Sequence, residues 1–181
     1  MPIGEGIDLV NRYLHPKSII KDRVDSFLRT NIMESNFIAV HARGSDKILE
    51  VENLDDVNKQ YKSIIDNELL IDPNLKIFLM TDDSRILDEY YKMYGNRVLV
   101  TDCQRTDDSQ GVHYKTSSNS VNLGLEVMTD VYIAANAKAF IGNGLSNPSQ
   151  MVRYLKKWPE NNLHYVVEEM NHSFNMLIHN W

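Results

Sequence analysis

The feature that most restricts this chain is a repeated alternation between short apolar runs and longer segments whose apolar residues recur every three or four positions. Phe37-Ile-Ala-Val40, Ile77-Phe-Leu-Met80, Val98-Leu-Val100, Ala139-Phe-Ile141 and Tyr165-Val-Val167 are the short runs. They are too brief for helices and too uniformly apolar for strands with a wet face, so they read as strands buried on both sides. Between them lie Val57, Tyr61, Ile64, Ile65 and Leu69; then Ile86, Leu87, Tyr90, Tyr91 and Tyr94, stopped by Gly95. Leu125, Met128, Val131 and Tyr132 follow, then Met151, Val152 and Leu155. Each set has the spacing of one helix face. Strand, helix and strand in series build βαβ units, hence a parallel sheet with helices on both faces. The expected class is α/β, with a Rossmann-like parallel sheet flanked by helices.

Ahead of the first strand, Met1 to about Tyr13 lacks clear periodicity and reads as an arm or linker. Pro16 then opens a helix carrying Ile20, Val24, Phe27, Leu28 and Ile32. The division expected is an arm and helix over 1–35 and the α/β domain over 36–181. A polar loop from about Cys103 to Asn119 and a last helix from Phe174 to Ile178 complete the reading. At 181 residues the chain suits one domain of ordinary size. A net charge of −6 speaks against nonspecific nucleic-acid binding, which needs a basic face. No apolar run reaches the roughly 18 residues a membrane span requires, and no signal peptide is evident. With the single cysteine, Cys103, this gives an expectation of cytoplasmic residence.

In parallel sheets of this kind, ligands sit beyond the carboxyl ends of the strands. Three such ends carry chemistry. The first offers His41, Arg43, Asp46 and Lys47; the second Thr81-Asp82-Asp83; the fourth Gly142-Asn143-Gly144-Leu-Ser146-Asn147-Pro148. Arg43 reads either as a surface ion-pair partner or as a fork for two phosphate oxygens. Asp46 alone reads as structural. Asp83 or Ser84 suits the N-cap of the following helix, and Asp82 with Asp83 leaves a Mg²⁺ site open. At the fourth end, Ser146 or Asn147 would cap a helix with Pro148 in its first turn. The two glycines permit close backbone approach, and the helix start offers N–H groups to an anion.

Several chemistries are excluded. No Gly-x-Gly-x-x-Gly follows the first strand, and no Gly-Lys-Ser/Thr run exists for a P-loop. There is no zinc-ligand spacing and no Gly-x-Ser-x-Gly elbow. His113, His164, His172 and His179 are scattered.

His-x-Arg-Gly-Ser-Asp-Lys after a first strand, a strand ending in Thr-Asp-Asp, and Asp130-Val-Tyr-Ile-Ala-Ala-Asn-Ala leading into a strand and Asn-Gly-Leu-Ser together resemble the fucosyltransferase superfamily. The likeness spans about Phe37 to Leu155. It is to the α1,6-fucosyltransferases, among them the bacterial nodulation enzymes and the animal core fucosyltransferase. The resemblance implies one lobe of a GT-B glycosyltransferase, the lobe that binds GDP-fucose. It implies inverting transfer of fucose to a glycan hydroxyl, with no cofactor and no obligatory metal.

Carried over to this chain, Arg43 would grip the β-phosphate, with Ser146 or backbone N–H groups of the Asn143-Gly144 turn beside it. Such fixed donors stabilise charge that builds on the leaving diphosphate. His41 and Asp130 match positions near the guanine, and Asp82 and Asp83 a polar pair in the same cleft. Glu50 matches the general base, with Glu52 as fallback and Lys47 placed to polarise it. Gly44 departs from relatives that carry a second arginine there. The chain is also the size of one lobe, so the acceptor lobe would precede residue 1 or come from an oligomer partner. The competing readings are a guanine-nucleotide-sugar-binding module without turnover, and a related transferase using another nucleotide sugar.

Overall fold

The computed structural model describes residues 3–32, 36–44, 54–107 and 120–166. Five strands form the sheet: β1 (Phe37–His41), β2 (Lys76–Met80), β3 (Val98–Leu99), β4 (Ala139–Gly142) and β5 (Leu163–Tyr165). All neighbouring pairs are parallel, in the order β3-β2-β1-β4-β5. Among the described residues six α-helices accompany them: α1 (Ile3–Tyr13), α2 (Ser18–Asn31), α3 (Leu54–Ile71), α4 (Ser84–Tyr94), α5 (Ser120–Ala135) and α6 (Asn147–Leu155).

The strand runs alternate between two cores. Ile38, Val40, Ile77, Leu79 and Ile141 face Tyr61 and Ile65 of α3 and Ile86 and Tyr90 of α4. Phe37, Ala39, Phe78, Met80 and Phe140 face Ile20 and Val24 of α2, Val131, Ile133 and Ala134 of α5, and Val152 of α6. Both faces of β1 are therefore covered, and all five of its residues are buried. That is why its sequence is apolar without alternation. Burial of each large side chain such as Phe78 or Phe140 contributes about 2–3 kcal/mol. Phe27 of α2 meets the Phe78 ring edge-on, with centroids 5.1 Å apart, so α2 belongs to the same core as the sheet.

One expectation is corrected here. The first residues are not an arm but the helix α1, which lies against α6. Its contact side is small: Gly6 is buried, while Ile7 and Val10 are half-buried. Two glycines in its first turn weaken the helix signal, because glycine costs about 1 kcal/mol in a helix. Pro16 likewise stands just outside α2, whose N-cap is Lys17. The last strand lies earlier than its apolar run, at Leu163–Tyr165 rather than from Tyr165 on, while the other elements fall where the apolar spacing puts them, and Gly95 ends α4 with φ of 57°. The expected helix from Phe174 to Ile178 and Val167 of the last strand lie outside the described residues. Among the described residues no helix is long and apolar enough to cross a membrane.

The order of the strands fixes where a ligand can enter. From β1 the chain steps to β2 and β3 on one side, then returns to place β4 and β5 on the other. The connections after β1 and after β4 thus leave in opposite directions and open a crevice between them.

Candidate nucleotide site

β1 delivers His41 and Arg43 to that crevice. His41 is the last strand residue and is 7% exposed. Its carbonyl accepts from the Tyr61 hydroxyl at 3.0 Å. Its Nδ1 lies 2.8 Å from Oγ of Ser149, on the first turns of α6. That hydroxyl also accepts the Asn143 N–H at 3.2 Å. Ser149 therefore ties the end of β1 to the end of β4. Burial lowers the His41 pKa to about 4, and the Arg43 charge acts in the same direction. The ring is neutral at physiological pH. Arg43, half-buried, stands two residues beyond the strand.

β4 brings the second component. Asn143 Oδ1 accepts the Leu145 N–H at 2.8 Å, and the Asn143 carbonyl accepts the Ser146 N–H at 3.0 Å. These bonds close the turn that starts α6. The Gly144 carbonyl accepts from Gln150 Nε2 at 2.5 Å. Ser146 occupies the N-cap position without making the cap bond, and Pro148 sits in the first turn. Its Oγ is buried and has no protein partner among the described residues. Backbone N–H groups of Leu145 and Ser146 are thus already used within the turn. The Ser146 hydroxyl and the positive end of α6 are what remain for an anion.

α5 supplies the third component. Asp130 is 5% exposed and receives a 2.6 Å hydrogen bond from Thr101 Oγ1. Burial raises its pKa to about 6, against the pull of the Thr101 hydroxyl and the Arg105 charge. Asp130, His41 and Asp82 line one cavity of about 90 Å³, with Thr81, Cys103, Gln104, Glu126 and Pro148 completing much of its wall. A neutral imidazole and a buried carboxylate sharing a small cavity make a specific recognition surface.

Asp82 and Asp83 separate in role. Asp83 caps α4: its carboxylate accepts the Arg85 N–H at 2.9 Å and pairs with the Arg85 side chain at 3.0 and 2.6 Å. Its capping role is the one expected of Asp83 or Ser84. Asp82 faces the cavity and accepts, at 3.4 Å, the N–H of Gly44. Asp83→Ala is expected to cost about 2 kcal/mol in urea unfolding, from the lost cap and the lost pairing with Arg85, while Asp82→Asn, which keeps an acceptor, is expected to cost less. Equal effects would contradict this division.

Gly44 has a steric cause. A Cβ there would sit 2.5 Å from Asp83 Oδ2 and 2.6 Å from Asp83 Cβ. The close seating of the Arg43-Gly44 segment on the capped turn leaves no room for a second arginine.

Asp46, Lys47, Glu50 and Glu52 lie outside the described residues, as do His113, His172 and His179. Two contributors were not singled out from the sequence. Thr101 follows the third strand, where the strand-end rule would have found it. Ser149 gave no signal, since its partner His41 lies 108 positions away. A larger cavity of about 560 Å³ lies between α2, residues 100–103 and α5. Its α2 wall is made chiefly of exposed side chains such as Arg23, Ser26 and Thr30; it takes no residue from β1 or β4 but shares Cys103 and Glu126 with the smaller cavity.

Comparison with protein-family models gives no match, nor does comparison with curated protein sequences. Solved structures do match. The Se-Met fucosyltransferase NodZ from Bradyrhizobium superposes with a TM-score of 0.57 at 21% identity, over 82% of this chain and 44% of that one. POFUT1 in its apo form gives 0.58 at 16% identity, over 86% and 48%. POFUT1 in complex with GDP-fucose gives 0.56 at 16%, over 88% and 49%. The fold is fucosyltransferase-like. This chain spans about half the length of the fucosyltransferase structures it matches.

Proposed function

We propose that this chain is the donor-binding half of a fucosyltransferase, taking GDP-fucose and serving inverting transfer of fucose to a glycan hydroxyl. The observation that carries the reading is the pairing of buried Asp130 with neutral His41 on one cavity at the β1–β4 crevice. Guanine presents N1–H and N2–H as donors and O6 and N7 as acceptors. Asp130 is suited to the donors. Ser149 Oγ, already accepting from Asn143, has one hydrogen to give; given to His41 Nδ1, it fixes the tautomer with Nε2–H as donor. That N–H suits O6 or N7. Adenine, with an acceptor at N1, would meet the carboxylate with the wrong polarity.

Arg43 and the Ser146 hydroxyl at the start of α6 are the groups for the diphosphate. Charge builds on its β-phosphate as the glycosidic bond breaks, and a guanidinium fork with a helix start stabilises it. Glu50, as base toward the acceptor hydroxyl, and Lys47, to polarise it, complete the reading, as the family resemblance implies. Structural neighbours include fucosyltransferases with GDP or GDP-fucose, which supports the same ligand class here.

The test is calorimetric titration with GDP-fucose, GDP-mannose, UDP-glucose and GDP. Guanine nucleotides are expected to bind and UDP-glucose not. Arg43→Ala is expected to weaken GDP about tenfold or more while leaving guanosine, which lacks phosphate, unaffected. Equal binding of guanine and uridine nucleotides would sink the donor reading.

A further inference from the structure

We propose that Thr101 is the positioning residue for the base-selecting carboxylate, holding Asp130 in the plane that captures both N1–H and N2–H of a 2-amino-6-oxopurine. The inference rests on the donor reading above and adds the residue that sets its selectivity.

The geometry is a short bond from a tethered loop. Thr101 Oγ1 donates to Asp130 Oδ1 at 2.6 Å, the distance of a charge-assisted hydroxyl–carboxylate bond. A carboxylate can turn about its terminal torsion almost freely, because such torsions have broad wells. One oxygen fixed by a hydroxyl removes that freedom and sets the direction of the other.

The loop carrying Thr101 is itself immobilised at several points. Arg105 donates from Nη2 to the Thr101 carbonyl and from Nη1 to the Cys103 carbonyl, both at 3.1 Å. The Gln104 N–H donates to Glu126 Oε2 on α5 at 3.0 Å. The Thr106 N–H donates to the Asp82 carbonyl, and the Thr106 carbonyl accepts from Ser84, both at 2.9 Å. The segment after β3 is thereby locked to the end of β2 on one side and to α5 on the other. A threonine carried on so constrained a backbone places its hydroxyl reproducibly, which is what orientation of a partner requires.

Among the described residues, several charged and titratable groups act on Asp130. Arg105 and the Thr101 and Cys103 side chains favour its ionised form, and Glu126 from the same helix opposes it. His41, neutral, and Asp82 share the cavity from the ends of β1 and β2. With Asp130 poised near 6, a ligand that needs the carboxylate binds above that pH and is lost as pH falls through it. Removing the Thr101 hydroxyl removes one of the influences that keep the pKa down. The loss on acidification then begins at higher pH.

Thr101→Val keeps the side-chain shape and deletes only the donor. GDP and IDP are titrated into wild type, Thr101→Val and Thr101→Ser between pH 5 and 8, with UDP and ADP as controls. IDP keeps N1–H and lacks the N2 amino group. Wild type is expected to prefer GDP over IDP. Thr101→Val should bind GDP about tenfold more weakly, with the GDP-to-IDP ratio moved toward one and the acid loss shifted to higher pH. Thr101→Ser should restore all three. If Thr101→Val weakens GDP and IDP equally, or leaves both ratio and pH midpoint unchanged, Thr101 does not orient Asp130. That result leaves the donor reading standing. Wild type that fails to prefer GDP over UDP and ADP overturns the donor reading and this inference with it.

Discussion

Asp130→Asn is expected to make the protein more stable at pH 7 by about 2 kcal/mol while lowering GDP affinity about a hundredfold. The two signs follow from one fact, a carboxylate held in a nearly water-free place. Its pKa of about 6 stands about 2 units above the ordinary value, which is about 3 kcal/mol of cost when the group is ionised. The folded state binds this proton more tightly than the unfolded chain, so the contribution is present below about pH 4 and is lost as pH rises through 6. Asparagine removes the charge and keeps an acceptor for Thr101. Its own amide hydrogens, partly unsatisfied, return about 1 kcal/mol of the gain.

His41 gives the comparison a second edge. Its folded pKa of about 4 is below the ordinary value of 6.5, so its contribution is present above about 6.5 and falls away as pH drops toward 4. Between pH 4 and 6.5 the two buried groups of one cavity therefore act in opposite directions, each by about 3 kcal/mol. Their combined contribution is nearly flat in the wild type, and Asp130→Asn should expose the His41 slope as stability that climbs with pH. Urea unfolding from pH 4 to 8 reads the first effect and titration with GDP the second. A variant less stable at pH 7 would refute the buried-charge account; a variant with unchanged GDP affinity would refute the guanine role. A binding site that costs stability is the usual signature of function at a buried charge.

The parts of this arrangement differ in how plainly the sequence states them. Strands such as Phe37-Ile-Ala-Val40 are legible because burial on both faces demands uninterrupted apolar residues, and Gly95 is legible because few residues tolerate its φ. Helix α1 is not legible although Ile3, Ile7 and Val10 recur at four and three, because two glycines in its first turn, one of them at its buried position, weaken the signal. Within the site, His41, Asp82 and Ser146 stand at or just beyond strand ends, as the strand-end rule expects, and Asp130 on α5 lines the same cavity as His41 and Asp82. Asp83 shows that a carboxylate in such a motif can also serve as a helix cap. Ser149 is invisible for a different reason: its meaning is a contact between two strand ends, and nothing local in Asn-Pro-Ser-Gln encodes which histidine it will meet.

That contact supplies the second large effect. Gly142→Ala is expected to cost about 3 kcal/mol and to weaken GDP binding, although residue 142 is not in the cavity wall. A Cβ at 142 would lie 2.5 Å from Phe140 Cε1, 2.8 Å from Phe140 Cζ and 2.7 Å from Ser149 Oγ. Neither neighbour can yield without breaking contacts of its own: Phe140 and Ser149 are both fully buried, and the Phe140 ring lies against Trp158 with centroids 6.1 Å apart. Cores packed at native density answer such an insertion by shifting backbone or forcing rotamers, at about 1–3 kcal/mol. Here the cheapest movement turns Ser149 away, which breaks its bonds to His41 Nδ1 and the Asn143 N–H together and releases the His41 tautomer. Ser149→Ala removes the same bonds without the collision. If the collision with Ser149 is what transmits the damage, the double variant should be about 1 kcal/mol more stable than the sum of the two singles predicts. Its affinity for GDP should match that of Ser149→Ala alone. Strict additivity in urea unfolding, or a Gly142→Ala protein that binds GDP like the wild type, would show that β4 absorbs the methyl without disturbing the histidine.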